Sequence, residues 1–157
     1  MEVRELADGD LDAVAALSLR AWAPVFASLE SALGGLFAVM HPDWRADQER
    51  AVREASATDG MHVWVAETDG EVAGFVAARL DQAERMGEIY MIAVDPNHQR
   101  AGVGSLLTSH ALDWFRASGM RLAMVETGGD PGHGPARRTY EKSGFTALPT
   151  VRYFREV

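Results

Sequence analysis

At 157 residues the chain has the length of a single domain with a full hydrophobic core, and its 47% apolar and 24% charged fractions suit a globular protein in water. A net charge of −8 argues against non-specific nucleic-acid binding, which needs a basic face, and no apolar run approaches the ~20 residues of a membrane span. The absence of cysteine excludes disulfides, thiolate metal sites and acyl-cysteine intermediates, and an acidic start without an apolar stretch carries no secretory signal, so a cytoplasmic location is expected.

MEVREL alternates as a short strand, with Val3 between Glu2 and Arg4. ADGDLDAVAALSLRAW follows as a helix, with Asp8 or Asp10 as N-cap and Leu11, Val14 and Leu17 at helical spacing. Residues 24–43 predict a second helix, broken near Gly34-Gly35, and RADQERAVREA predicts an exposed, charged one. The period then changes. MHVWVAE, the turn TDGE and EVAGFVAARL predict a hairpin, and EIYMIAV a third β-run. SLLTSHALDWFRAS places Leu106, Leu107, His110, Ala111 and Trp114 along one helical face, and Gly119 stops it. RLAMVE is a further strand, PARRTYEKS a helix with Pro135 in its first turn and Gly144 at its end, and GFTALPTVRYFREV one or two final strands. No repeat or composition break marks a linker, so residues 1–157 read as one domain. The order β-α-α-β-β-β-α-β-α-β(-β) predicts an α+β fold, an α/β three-layer sandwich. Lys142 is the only lysine, which with the abundant alanine points to a GC-rich, bacterial genome.

DPNHQRAGVGSLL joins the third β-run to the helix after it. Consecutive N–H groups of QRAGVG at a helix N-terminus make an anion site; the plainer reading is a turn that uses glycine for its backbone freedom. An NTPase phosphate loop is excluded, because no Gly-Lys-Ser/Thr follows. GVGSLL with Glu126 about twenty residues on also suggests a dinucleotide site. Against it, Leu107 stands at the third glycine position, and residues 95–101 lengthen a turn that is short in that motif.

EIYMIAVDPNHQRAGVGSLL resembles the acetyl-CoA-binding core of the GNAT superfamily of N-acetyltransferases. The superfamily pattern Gln/Arg-x-x-Gly-x-Gly/Ala is matched by Gln99, Gly102 and Gly104. WVAETDGEVAGFV and ARRTYEKSGF resemble further family segments in the family's order, so the likeness covers most of the chain. It implies a mixed, largely antiparallel central sheet of six to seven strands, with about four helices on its two faces. It also implies acetyl-CoA as co-substrate, its pyrophosphate on the backbone of Arg100, Ala101, Gly102, Val103, Gly104 and Ser105. The pantetheine arm would pair with Ile92 and Val94, the Ile92 N–H polarising the thioester carbonyl.

Tyr140 stands at the family's general-acid position, where the hydroxyl reaches the CoA sulfur. Glu88 matches the general base of histone-type members, and Glu126, where two strands are expected to splay apart, is its rival. A free glutamate titrates near 4.3, so burial has to raise whichever one acts. His133 replaces an asparagine that touches the pantetheine arm in relatives; an imidazole could keep that contact or be a base itself.

The acceptor pocket is implied to be lined by Trp22, Phe26, Phe37, Trp44 and the TGGDPGHG loop with Asp130, although the spacing of Trp22 and Phe26 also fits core packing. With Glu126 and Asp130 such a cleft suits a cationic amine: a peptide N-terminus, a polyamine, an aminoglycoside or a small xenobiotic amine. The five histidines are scattered and no metal site is expected. The expected function is an N-acetyltransferase moving the acetyl group of acetyl-CoA to a primary amine of a small-molecule or peptide acceptor, by direct attack in a ternary complex. The alternative is a catalytically silent acyl-CoA-binding sensor. A homodimer is the family-based expectation.

Overall fold

Period-two alternation in the middle of the chain sets the architecture. Trp64 and Ala66 point into one hydrophobic cluster and Val65, between them, into another, so both faces of the strand need a cover. The computed structural model describes residues 1–157 and supplies those covers. Its elements are β1 (Glu2–Glu5), α1 (Leu11–Leu33), α2 (Gly35–Met40), α3 (Trp44–Ala57), β2 (His62–Thr68), β3 (Glu71–Asp81), β4 (Met86–Val94), α4 (Val103–Ala117), β5 (Leu122–Val125) and α5 (Gly134–Lys142). The strands form one sheet in the order β1-β2-β3-β4-β5, antiparallel through β4, with β5 joining β4 in parallel. No helix is long and apolar enough to cross a membrane.

On one face α4 packs Val103, Leu107, Ala111 and Phe115 against Trp64, Ala66, Val76, Ala78 and Ile89. On the other, Val14 and Leu17 of α1 and Val52 of α3 meet Val65, Phe75 and Ala93. The result is the expected α+β sandwich of three layers. The buried row of α4 differs from the sequence expectation: it runs through Val103 and Phe115, and Leu106 lies outside it, exposed. Phe115 lies so close to β4 that a Cβ at Gly87 would come within 2.2 Å of its ring, which only glycine avoids.

The sheet has five strands rather than six to seven. After Phe145 the chain adopts no regular structure, and Leu148, Val151 and Tyr153 remain exposed. Pro149 removes a ladder donor from the middle of that segment, and the four-residue β5 offers a short edge to pair with. There are five α-helices rather than about four. α1 runs on through Pro24 instead of ending before it, and the break comes at Gly34, whose φ is +56°. Proline removes one donor to the Arg20 carbonyl, but packing on both sides of it carries the helix through. Trp22 packs on the α1–sheet cluster and Phe26 on α3. α3 is not wholly exposed either; Gln48, Val52 and Ala55 are buried, and Gln48 Nε2 donates to Ser18 Oγ at 2.9 Å.

β4 and β5 pair only from Met86↔Leu122 to Ile89↔Val125. Beyond that point β5 has ended and β4 continues alone beside β3. The opening so created is where the candidate site lies.

Candidate active site

The turn from β4 into α4 is anchored by Asp95. Its Oδ1 accepts the Asn97 N–H at 2.9 Å, its own N–H donates to the Ala73 carbonyl at 2.9 Å, and its Oδ2 receives the Arg20 guanidinium from α1. Burial alone would raise this carboxyl, whose side chain is 6% exposed. The hydrogen bonds from Arg20 and the Asn97 N–H outweigh it and hold the group below the usual carboxylate range. Sequence reading missed both residues of this anchor; the available signal was an Asp opening an Asp-Pro-Asn turn.

From there the backbone turns left-handed at Arg100 (φ +65°) and again at Gly102 (φ +83°). The N–H groups of Gln99, Arg100, Ala101, Gly102, Val103, Gly104 and Ser105 have no acceptor within the protein. They line the N-terminus of the 15-residue α4, where partial positive charge accumulates. Such a nest holds an anion with many donors. The Val103 side chain is in the core, so only its N–H is available to a ligand.

β4 supplies a second set of donors. Asp95 N–H points to β3, so strand alternation turns the N–H groups of Val94 and Ile92 the other way. With β5 already ended, they face an open slot.

α5 runs beside the first turn of α4; Thr139 Cγ2 lies 3.8 Å from where a Cβ on Gly104 would stand. The next residue, Tyr140, is 7% exposed, with its ring edge-on to Phe145 at 5.9 Å. Burial pushes its hydroxyl up to about 12. The hydroxyl oxygen has no partner in the protein yet is not enclosed, so it is free to meet a ligand.

Both candidate carboxylates lie where the strands part. Glu88 stands opposite Met124, and Glu126 follows the last pair, Ile89↔Val125. Glu88 accepts the Arg79 Nε at 2.5 Å, and that guanidinium also lies over the Tyr90 ring at 4.9 Å. The hydrogen bond to Glu88 raises the Arg79 pKa. Glu88 borders an open hollow with Asp81, Gln82 and Met86. Glu126 is exposed and makes neither a side-chain hydrogen bond nor an ion pair.

The β5–α5 loop is folded onto α1. Asp130 Oδ2 accepts Ser28 Oγ at 2.7 Å and the Gly132 N–H at 3.1 Å, while Oδ1 meets His133 Nδ1. Burial would raise the Asp130 carboxyl, but the bonds from Ser28 and His133 hold it below the usual range. Phe26 stacks on Trp44 at 4.5 Å and meets Phe37 and His41 edge-on, tying α1, α2 and α3 together. Trp22 is partly buried in the α1–sheet cluster. Val94 of β4 and Thr139 of α5 thus both meet the cradle at Gly104, the Asp130–His133 loop docks on Ser28 of α1 just ahead of α5, and Phe26 and Trp44 pack helix against helix. No three His, Asp or Glu side chains come together in a group that could hold a metal ion.

A sequence model described as the acetyltransferase (GNAT) family matches residues 26–145. The mycothiol acetyltransferase of Thermomonospora curvata is 33% identical over 109 residues, which take in 68% of this chain and 36% of that protein. The chain therefore spans about a third of that relative's length. Among solved structures, a GNAT-family protein from Desulfovibrio desulfuricans aligns with a TM-score of 0.72 at 26% identity, over 94% of this chain and 86% of that one. The aminoglycoside N-acetyltransferase AAC(6')-Iy, in complex with the bisubstrate analogue CoA-S-monomethyl-acetylneamine, shares the fold with a TM-score of 0.62 at 18% identity, over 99% and 97% of the two chains.

Proposed function

Because the chain belongs to the GNAT acetyltransferase family, we propose that it transfers the acetyl group of acetyl-CoA to a primary amine of a small-molecule or peptide acceptor, by direct attack in a ternary complex. The observation that carries this reading is the unbroken run of unpartnered N–H groups from Gln99 to Ser105 at the head of α4. Those groups suit a pyrophosphate, and the open N–H groups of Ile92 and Val94 suit the pantetheine arm that follows it. The CoA-bearing analogue bound to AAC(6')-Iy supports the same donor, and the name of the Thermomonospora relative supports acetyl transfer. No comparison supports a catalytically silent sensor.

Chemistry then assigns the remaining roles. The Ile92 N–H stabilises the thioester oxygen as negative charge develops on it. An amine with a reference pKa near 10.4 is neutral in only about one molecule in 2,500 at pH 7, so a base must take its proton. Glu88 and Glu126 are the carboxylates in place, one engaged by Arg79 and the other in solvent. Tyr140 meets the departing sulfur. With its hydroxyl at about 12 against roughly 8.5 for a thiol, full proton transfer is uphill by about 5 kcal/mol. Its hydroxyl therefore stabilises the thiolate as a hydrogen-bond donor, and the proton that finally reaches sulfur originates on the amine. A homodimer and a cytoplasmic location belong to the same reading.

The test is thiol release from acetyl-CoA in the presence of spermidine, kanamycin A, glucosamine and a seryl peptide, with mass spectrometry of the amine. Acetylation of at least one is expected. Tight acetyl-CoA binding with no acetylated product from any amine would sink the reading.

A further inference from the structure

We propose that His133 is the general base of this acetyl transfer and that Asp130 is the residue that positions it. The inference rests on the acetyl-transfer reading and replaces both glutamates in the base role.

The loop is built around this pair. Asp130 precedes the turn Pro131–His133 and accepts the Gly132 N–H. Ser28, from α1, donates to the same oxygen, which leaves Oδ1 to His133 Nδ1. Arg137 Nη1 reaches back from α5 to the carbonyls of Gly128 and Asp130, at 2.5 and 2.8 Å. Gly128 is folded so tightly onto the pair that a Cβ there would lie 2.4 Å from Asp130 Oδ1 and 2.6 Å from His133 Nδ1. The two side chains are only 12% and 20% exposed.

Chemistry follows from the tautomer. A carboxylate at Nδ1 keeps the proton there, so Nε2 carries the lone pair. Nε2 has no partner within the protein and is not enclosed. Base, orienting carboxylate and a hydroxyl on that carboxylate form the arrangement by which an imidazole is prepared to take a proton. His133 also sits at the head of α5, the helix that carries Tyr140, and its loop touches α1. It therefore stands where α5, which carries Tyr140, meets α1. Neither glutamate has an equivalent: Glu88 is committed to Arg79, and nothing orients Glu126.

The step balances as follows. R–NH3+ gives one proton to His133 Nε2, and the freed lone pair forms the C–N bond at the thioester carbonyl. The C–S bond breaks with its electron pair on sulfur, and the second nitrogen proton passes to the thiolate. Imidazolium then releases its proton to water, so the products are amide, CoA thiol and one proton.

The test uses the full chain, acetyl-CoA and whichever of the four amines above is acetylated fastest. For His133→Ala, kcat is expected to fall about 10²-fold or more while KM for acetyl-CoA changes by less than about twofold. Added imidazole should restore a large part of the lost rate, a response that a merely structural role would not give. Asp130→Asn is expected to lower kcat about tenfold and to abolish the strongly deshielded Nδ1 proton resonance of His133, a signal read without any acceptor. Should His133→Ala melt early, His133→Gln replaces it, with the same expected loss of kcat. Wild-type turnover in a folded His133 variant would overturn the proposal while leaving acetyl transfer intact. Loss without imidazole rescue would overturn it as well. Failure of the wild type to acetylate any of the four amines would instead refute the acetyl-transfer reading and the base with it.

Discussion

Replacing Tyr140 by Phe removes one oxygen from a site where the structure isolates its effect. The ring is buried edge-on to Phe145, but the hydroxyl has no partner in the protein, so its loss orphans nothing. Stability near neutral pH should change by no more than about 0.5 kcal/mol. Acetyl-CoA affinity should also hold, because the proposed phosphate contacts are to backbone N–H groups of residues 99–105, which the substitution leaves unchanged. Turnover should not hold. A hydrogen bond to developing charge in such a site contributes about 2.7–4 kcal/mol, or roughly 10²–10³ in kcat. The same hydroxyl has an alkaline signature. Its value is raised to about 12, so the folded state is unaffected below the unfolded value near 10 and loses stability as pH rises through about 12. Two units amount to about 2.7 kcal/mol, and the Phe variant should lack that alkaline loss. Thiol-release kinetics, calorimetric titration of acetyl-CoA and melting curves up to pH 11, where about half of that loss (~1.4 kcal/mol) has developed, read all three. Wild-type kcat in the variant, or a fall in kcat matched by a fall in affinity, would refute the assignment.

Gly102→Ala meets no atom within 4 Å, so its expected cost of about 1 kcal/mol comes from forcing a side chain to φ +83°, and chemical denaturation should detect it. Acetyl-CoA affinity in that variant should fall by more than this strain explains, because the cradle is distorted. Gly87→Ala drives a Cβ to 2.2 Å from the Phe115 ring and should cost about 1–3 kcal/mol, partly recovered by Phe115→Leu in a double-mutant cycle. Asp95→Asn removes the ion pair to Arg20, whose side chain is 51% exposed, so about 1–2 kcal/mol is expected rather than the full cost of a buried pair. Since the Asp95 carboxyl is depressed, its contribution is complete above the unfolded value near 3.9 and disappears as pH falls through the lower folded value. Urea melts of variant and wild type should therefore still differ near pH 4 and converge only as pH falls through that lower folded value.

The parts of the fold legible in the sequence were those encoded by local periodicity. The β2–β3 hairpin, the strand–glycine loop–helix unit and the helix of Tyr140 all follow from alternation, turn residues and caps within a few positions. The elements that differ are those where tertiary packing overrides a local signal. Pro24 reads as a helix stop, yet packing of Trp22 and Phe26 carries α1 through it. GFTALPTVRYFREV has strand composition but no ladder partner in this chain. At the site, the cradle was readable because its donors are consecutive. The contacts that set up its neighbours were not, because Arg20 and Asp95 are 75 residues apart and Ser28 and Asp130 are 102. Nothing in the spacing of Asp130 and His133 shows that α1 fixes one against the other.

The central claim, transfer of acetyl from acetyl-CoA held on residues 99–105, is tested most directly by one mass-spectrometric experiment. The chain is incubated with acetyl-CoA and the four amines, alongside Gly104→Val, which fills the floor of the cradle. The account predicts an amine bearing one added acetyl group and stoichiometric free CoA, both strongly reduced in the variant. Acetylation that proceeds equally well in Gly104→Val, or CoA release with no acetylated amine, would contradict it.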